Sequence, residues 1–344
     1  MYKMSRLLTV SLMLTAAIIL TSACEEGPRR LPGISGKAGE VGIVMDKNLW
    51  EGSLGSTLRS LLAANYPLLP QPEPIFTLFN IPDNAFGSVF QSHRNLVLVQ
   101  ISTDLHEAQM LIQQNVWSAP QIVINLSGPN IDAVSAVIEE EKEKIVSAIE
   151  QAERNRVITG AKRYEDRSLR MLVNESFGGS PYFPDGYALR KQAQSKDFIW
   201  ISYETTRMSQ GVFIYSYPYI NDNSFSKARM LEERNAILKR EVPGQLENSY
   251  MITHSGNNSG EVPTMRWVRY NGKDFAELRG LWEVENDFMG GPFVSHSYYD
   301  PKTNRVLVLE AFVYNPRSDK RNYMRQTESI LYSFEWVDDQ EPHE

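Results

Sequence analysis

The side chains able to do chemistry are few and scattered. Five histidines, His93, His106, His254, His296 and His343, are spread over 344 residues, and no two stand at the i, i+4 spacing of a helical metal site. Each taken alone reads as a structural or surface histidine. His254 and His296 both fall in strand-like stretches and could converge. Glu283, Glu285 and Asp287 alternate after Trp282, which on a strand sets three carboxylates on one face. Such a row could hold a cation or act with His296 as acid and base, although a solvated strand running into a loop gives the same pattern. No Gly-x-Ser-x-Gly elbow is present, and Gly178-Gly179-Ser180 lacks the strand-to-helix context that exposes a nucleophile. Gly52, Gly55 and Gly87 make no phosphate-cradling spacing. No catalytic residue, metal ligand or cofactor is assigned on these grounds.

Aromatic side chains are the stronger signal. Tyr215, Tyr217 and Tyr219 alternate along one strand-like run, with Trp267 and Trp282 further on. Alternation puts the three tyrosines on one face, where their rings could stack on sugars or receive a peptide. Cross-strand pairing within a core accounts for the same spacing. A flat aromatic face would favour a binding protein. A deep cleft gathering His254 or His296 with carboxylates would favour a hydrolase with its site in the second half of the chain.

The single cysteine, Cys24, closes a leader. Lys3 and Arg6 precede an apolar run from Leu7 to Leu20, and Thr21-Ser22-Ala23 leads into Cys24. The run suits a secretory signal peptide and is short for a spanning helix. These residues resemble a bacterial lipobox, with Thr21 standing where leucine is usual. The resemblance implies cleavage before Cys24 and acylation there, with chains of the palmitate type. It also implies anchoring at the bacterial cell envelope, at the outer membrane, facing the periplasm or the surface. Glu25 and Glu26 resemble the surface-export signal of Bacteroidetes lipoproteins. With Cys24 acylated, disulfides, Cys-based zinc sites and thiol catalysis are all excluded.

The net charge is −7, and the leader carries Lys3 and Arg6 but no acid, so the processed chain is more acidic still. Nucleic acid is therefore an unfavourable partner. The expected partners are the membrane, through the anchor, and an envelope protein or a glycan.

The elements that must position these residues follow from periodicity. Residues 24–40 are expected to be a flexible tether, 41–157 a first domain, 158–337 a second, and 338–344 a disordered tail. In the first, strands are expected at Val41–Met45, Ile75–Phe79, Leu96–Ile101 and Gln121–Leu126. Helices are expected at Trp50–Leu62, His106–Val116 and, after Pro129, along the stripe from Ile131 to Ala152. This order suggests a ferredoxin-like split sheet. The second half, from a strand at Ser168–Val173 onward, reads as a mainly antiparallel sheet with helices on one face. Asn271-Gly272 marks a two-residue hairpin, and the last helix spans Lys320–Trp336. Phe183–Tyr187 resembles a turn in the α/β/α sandwich of photosystem-accessory proteins. The expected class is α+β, in two lobes. From Leu20 to Trp336, through the strand Phe198–Tyr203 and the aromatic hairpins, the chain is similar to an uncharacterised family of Bacteroidetes envelope lipoproteins, a domain of unknown function.

Overall fold

The computed structural model describes residues 30–254 and 263–339. Cys24, Glu25, Glu26, His343 and the end of the acidic tail lie outside the described residues. No described helix is long and apolar enough to cross a membrane.

The chain is α+β and two-lobed. The first lobe holds five strands: β1 (Glu40–Val44), β2 (Thr77–Ile81), β3 (Asn95–Ile101), β4 (Gln109–Gln114) and β5 (Ile122–Gly128), in the order β2-β1-β3-β5-β4. β1 is parallel to β2 and β3, and β3 to β5; β4 alone runs antiparallel. The ferredoxin-like split is thus corrected. The helices α1 (Lys47–Glu51) and α2 (Ser53–Leu62) carry the chain from β1 over to β2, and a helical crossover returns the next strand parallel. A short α3 (Ser88–Gln91) precedes β3. Leu54, Leu58 and Leu62 of α2 share a core with Val134 and Ile138 of α4 (Ile131–Glu140) and Ile145 and Ile149 of α5 (Lys142–Arg163).

Other details differ from expectation. The helix expected at His106–Val116 is the edge strand β4, where Met110 and Ile112 turn toward the core with period two. The long helix breaks at Glu141 and then continues to Arg163, across the expected division between residues 157 and 158. The stretch expected as a free tether pairs with the lobe through the bridges Gly33–Ala119 and Ser35–His93. Composition signals a lack of periodicity there, but backbone groups still find partners.

The second lobe opens on α6 (Arg167–Phe177), where a strand was expected. Asp166 caps it by accepting from the backbone N–H groups of Ser168 and Leu169, and Leu169 and Val173 bury one turn apart. Cap and i, i+4 spacing outweigh the short apolar run. A small ribbon pairs β6 (Gly179–Ser180) with the last strand. The main sheet comprises β7 (Ala188–Gln192), β8 (Phe198–Glu204), β9 (Ser209–Pro218), β10 (Met251–Thr253), β11 (Thr264–Tyr270), β12 (Lys273–Val284), β13 (Gly290–Asp300) and β14 (Arg305–Tyr314). Its order is β10-β12-β13-β14-β9-β8-β7, with β11 also on β12, and every pairing is antiparallel. Tyr270 pairs with Lys273 across Asn271 (φ 47°) and Gly272 (φ 78°), the two-residue hairpin that Asn-Gly favours.

Helices cover both faces of this sheet, which corrects the expectation of one. Phe198, Phe213, Tyr215, Leu278 and Phe312 lie on the face covered by α7 (Lys227–Glu241). Ile199, Ile214, Phe275, Val294 and Leu309 lie on the opposite face, beneath α6 and α8 (Arg321–Tyr332). Accordingly β12, β13 and β14 are buried along nearly their whole length, as strands covered on both sides are. The closing strand β15 (Glu335–Trp336) follows α8.

The lobes meet along α5 and α8. Buried Glu73, at the end of the proline-rich connection, accepts from the backbone N–H of Lys320 at 2.7 Å and of Arg321 at 2.8 Å. The first lobe thereby supplies the N-terminal cap of a helix in the second. Arg321 donates to Pro74 O and Arg325 to Ile75 O, each at 2.7 Å.

Candidate functional site

A cavity of about 780 Å³ lies along this joint. Its apolar wall is Leu61, Ala64, Pro67, Ile75 and Val146 from the first lobe and Met265 from the second. Its floor is charged, with Arg154, Arg266, Arg279 and Arg325 beside Glu150, Glu277 and Glu328, and Lys142 and Glu143 stand at its rim. Regular elements place these groups. Val146, Glu150 and Arg154 recur every fourth residue along α5, Arg325 and Glu328 share a face of α8, and Glu277 and Arg279 alternate on β12.

Three of the arginines are paired. Arg266 Nε donates to Glu277 Oε1 at 2.9 Å, Arg279 Nη2 to Glu328 Oε1 at 2.6 Å, and Arg325 Nη2 to Glu150 Oε1 at 2.6 Å. Tyr66 donates its hydroxyl to Glu328 Oε2 at 3.1 Å. Burial, then the Glu328 carboxylate, pushes the Tyr66 phenol far up, so it remains a donor. Burial alone would raise the Glu328 carboxyl; Arg279 and Arg154 outweigh it and hold the group down at about 2. Arg154 differs from the rest. Its Nη1 donates to Gln151 at 2.9 Å and its guanidinium lies 3.6 Å over the Tyr332 ring, yet it forms no ion pair among the described residues.

His296 sits beside this lining and is fully enclosed. It pairs across the sheet with Glu277, stacks on Phe275 at 4.1 Å and meets the edge of Tyr332 at 4.6 Å. Neither ring nitrogen bonds to a protein atom among the described residues. Burial pushes its imidazole down to about 3. Ligand atoms of Glu277, His296 and Glu328 all lie within 4.8 Å of one another, a donor set that a transition metal could use. Both carboxylates are already committed to arginines, however. A divalent cation there would add its charge to Arg154, Arg266 and Arg279 against two carboxylates, which electrostatics disfavours.

The sequence-derived candidates lie elsewhere. Tyr215, Tyr217 and Trp282 are each 2% exposed, in the core beneath α7. Tyr217 donates to Ser224 O at 2.8 Å, and half-buried Tyr219 donates to Asp222 at 2.8 Å. Trp267 is exposed and packs on Phe225 with ring centroids 5.1 Å apart. The tyrosines share a face, as alternation indicates, but α7 covers it, and the five residues form no open aromatic surface. His254 pairs with Glu283 at 2.7 Å, while Glu285 and Asp287 lie in the turn beyond β12. Glu283 is six residues from Glu277, about 20 Å along the strand, so the acidic row does not serve His296. Unforeseen were Tyr66, Arg154, Glu277, Arg279, Arg325 and Glu328. The available signal was charge inside core-patterned elements, as in Glu277 and Arg279 within β12 and Glu328 one turn past Met324 in α8.

These features define a two-lobed α+β protein with a charged cleft at the lobe joint. Residues 34–162 match the family model described as Domain of unknown function (DUF8532), and residues 166–333 match Domain of unknown function (DUF4837). No curated protein matches the chain.

Proposed function

We propose that this chain is a lipoprotein of the bacterial cell envelope, anchored through acylated Cys24 at the outer membrane, and that it binds a ligand without turning it over. The leader supports the location. The observation that carries the binding reading is the joint cleft, whose volume and mixed lining suit a ligand and whose carboxylates are tied to arginines. A carboxylate held by an arginine is a poor general base, because its proton affinity is low. The face carrying Tyr215 and Tyr217 lies beneath α7, so this reading puts the ligand in the cleft.

A second reading has one observation in its favour. Ligand atoms of His296, Glu277 and Glu328 lie within 4.8 Å of one another, and a histidine gathered with carboxylates is the arrangement named above as favouring a hydrolase. His296 is fully enclosed, however, and lines no part of the cleft. Native mass spectrometry of the full chain, extracted from its own envelope in mild detergent, tests both. A stoichiometric bound molecule released intact supports binding. Recovery of the empty protein, together with turnover of ester or amide substrates that is lost in His296→Phe, would establish the hydrolase. A Cys24→Ser chain should leave the membrane fraction.

A further inference from the structure

We propose that the joint cleft takes an amphiphilic anion, with its charged head at Arg154 and its apolar body along Val146, Leu61 and Met265. This rests on the binding reading above and specifies the ligand class of that same site.

The argument starts from charge. Among the arginines lining the cleft, Arg266, Arg279 and Arg325 each have a carboxylate within 2.9 Å, and Arg154 has none among the described residues. The floor groups are thus four arginines against three carboxylates, an excess of one positive charge in a chain whose net charge is −7, and Arg154, which shares the field of Glu328 with Arg279, has no ion pair of its own among the described residues. Arg154 is half-buried, where a charge interacts more strongly than in open water. Its guanidinium is fixed by the Tyr332 ring at 3.6 Å and by Gln151, which leaves donors on its remaining nitrogens for a carboxylate or phosphate. One Gln151–Arg154 bond and one stacked ring hold the head group's receptor without neutralising it.

Geometry supplies the body. Val146 lies eight residues before Arg154 on the same face of α5, about 12 Å along the helix axis. Leu61, Ala64, Pro67 and Met265 complete an apolar wall there. Glu143, which also lines the cavity, is exposed and eleven residues from Arg154, about 16 Å away, and Glu150, one turn from Arg154 on the same face, is tied to Arg325 at 2.6 Å, so neither cancels the anion site. An apolar chain of about ten carbons spans the distance from wall to guanidinium. Fatty carboxylates and lipid phosphates share this chemistry.

Isothermal titration of the full chain with decanoate, decyl phosphate, decanol and acetate tests the proposal. Decanoate or decyl phosphate should bind, and the preference between them identifies a carboxylate or a phosphate head. Decanol should bind at least about tenfold more weakly for want of charge, and acetate at least about tenfold more weakly for want of a body. Arg154→Gln should lose about tenfold or more in affinity for the anions, and Arg154→Lys should retain most of it. Circular dichroism confirms that each variant is folded. Equal binding of decanol, or undiminished binding by a folded Arg154→Gln chain, would overturn the anion assignment while leaving a binding cleft. If no probe binds but the envelope-extracted protein carries another molecule, the proposal falls and the binding reading stands. If no probe binds and the extracted protein is empty, both fall.

Discussion

The two faces of the second sheet each carry an arginine–glutamate pair between a helix and a strand, with the polarity reversed. On the face under α7 the helix supplies Arg234 and β14 supplies Glu310, both 0% exposed at their side chains and joined at 2.7 Å. On the face under α8 the helix supplies Glu328 and β12 supplies Arg279, joined at 2.6 Å. The first pair is sealed: Arg234 also donates to Thr253 and lies over Phe293 at 3.8 Å. The second opens onto the cleft beside an unpaired Arg154. The same two residue types thus serve as a closed structural joint on one face and as part of a cleft lining on the other. Access and the neighbouring uncompensated charge separate the roles, which residue identity does not.

The largest expected effect breaks the sealed pair. Arg234→Ala leaves the Glu310 carboxyl enclosed without its partner, and should cost about 3–5 kcal/mol in a denaturant unfolding titration. The double change Arg234→Met with Glu310→Leu should recover most of that loss, since apolar side chains can replace a buried pair. Glu328→Gln on the open face should cost less, about 1–3 kcal/mol, because cleft water can solvate Arg279. If the two single changes cost the same, the faces do not differ as described.

The contrast also explains what was legible in the sequence. Strand positions, the Asn271-Gly272 hairpin and the shared face of Tyr215 and Tyr217 follow from periods of two, which are local. Whether α7 or solvent covers that face is a tertiary outcome, so the aromatic row was visible and its burial was not. The cleft was less legible still. Arg154 lies near the end of the first domain as expected from sequence, and its meaning arises only when α5 docks on α8 and Tyr332 meets it. The parallel first sheet was missed because the four-residue α3 is the only α-helix between β2 and β3, so the two strands read as directly joined although β1 lies between them.

Acid should probe the open face selectively. His296 has its imidazole lowered from 6.5 to about 3, so the unfolded chain takes up a proton that the folded chain refuses. The stability this contributes is fully present above about pH 6.5 and is lost as pH falls toward 3, at up to about 1.4 kcal/mol per pH unit. Glu328, lowered from 4.5 to about 2, adds a loss confined below about pH 4.5. Unfolding free energies measured from pH 7 to 5 should therefore fall for the native chain and fall less for His296→Phe, which keeps the stack on Phe275 and cannot titrate. A parallel decline in both would remove His296 as the cause.

The smallest expected effect returns to the covered face. Trp267 is 60% exposed and touches Phe225 from the rim of that face. Trp267→Ala should change stability by about 0.5 kcal/mol, as exposed substitutions do, and should leave decanoate binding unaltered. The second result matters more than the first. Trp267 is the most exposed aromatic of the original five, three of which are buried under α7. A folded Trp267→Ala chain that loses affinity for a ligand found on the envelope-extracted protein would put binding back on the α7 side. An unchanged affinity would confine it to the side where Arg154 stands without a carboxylate.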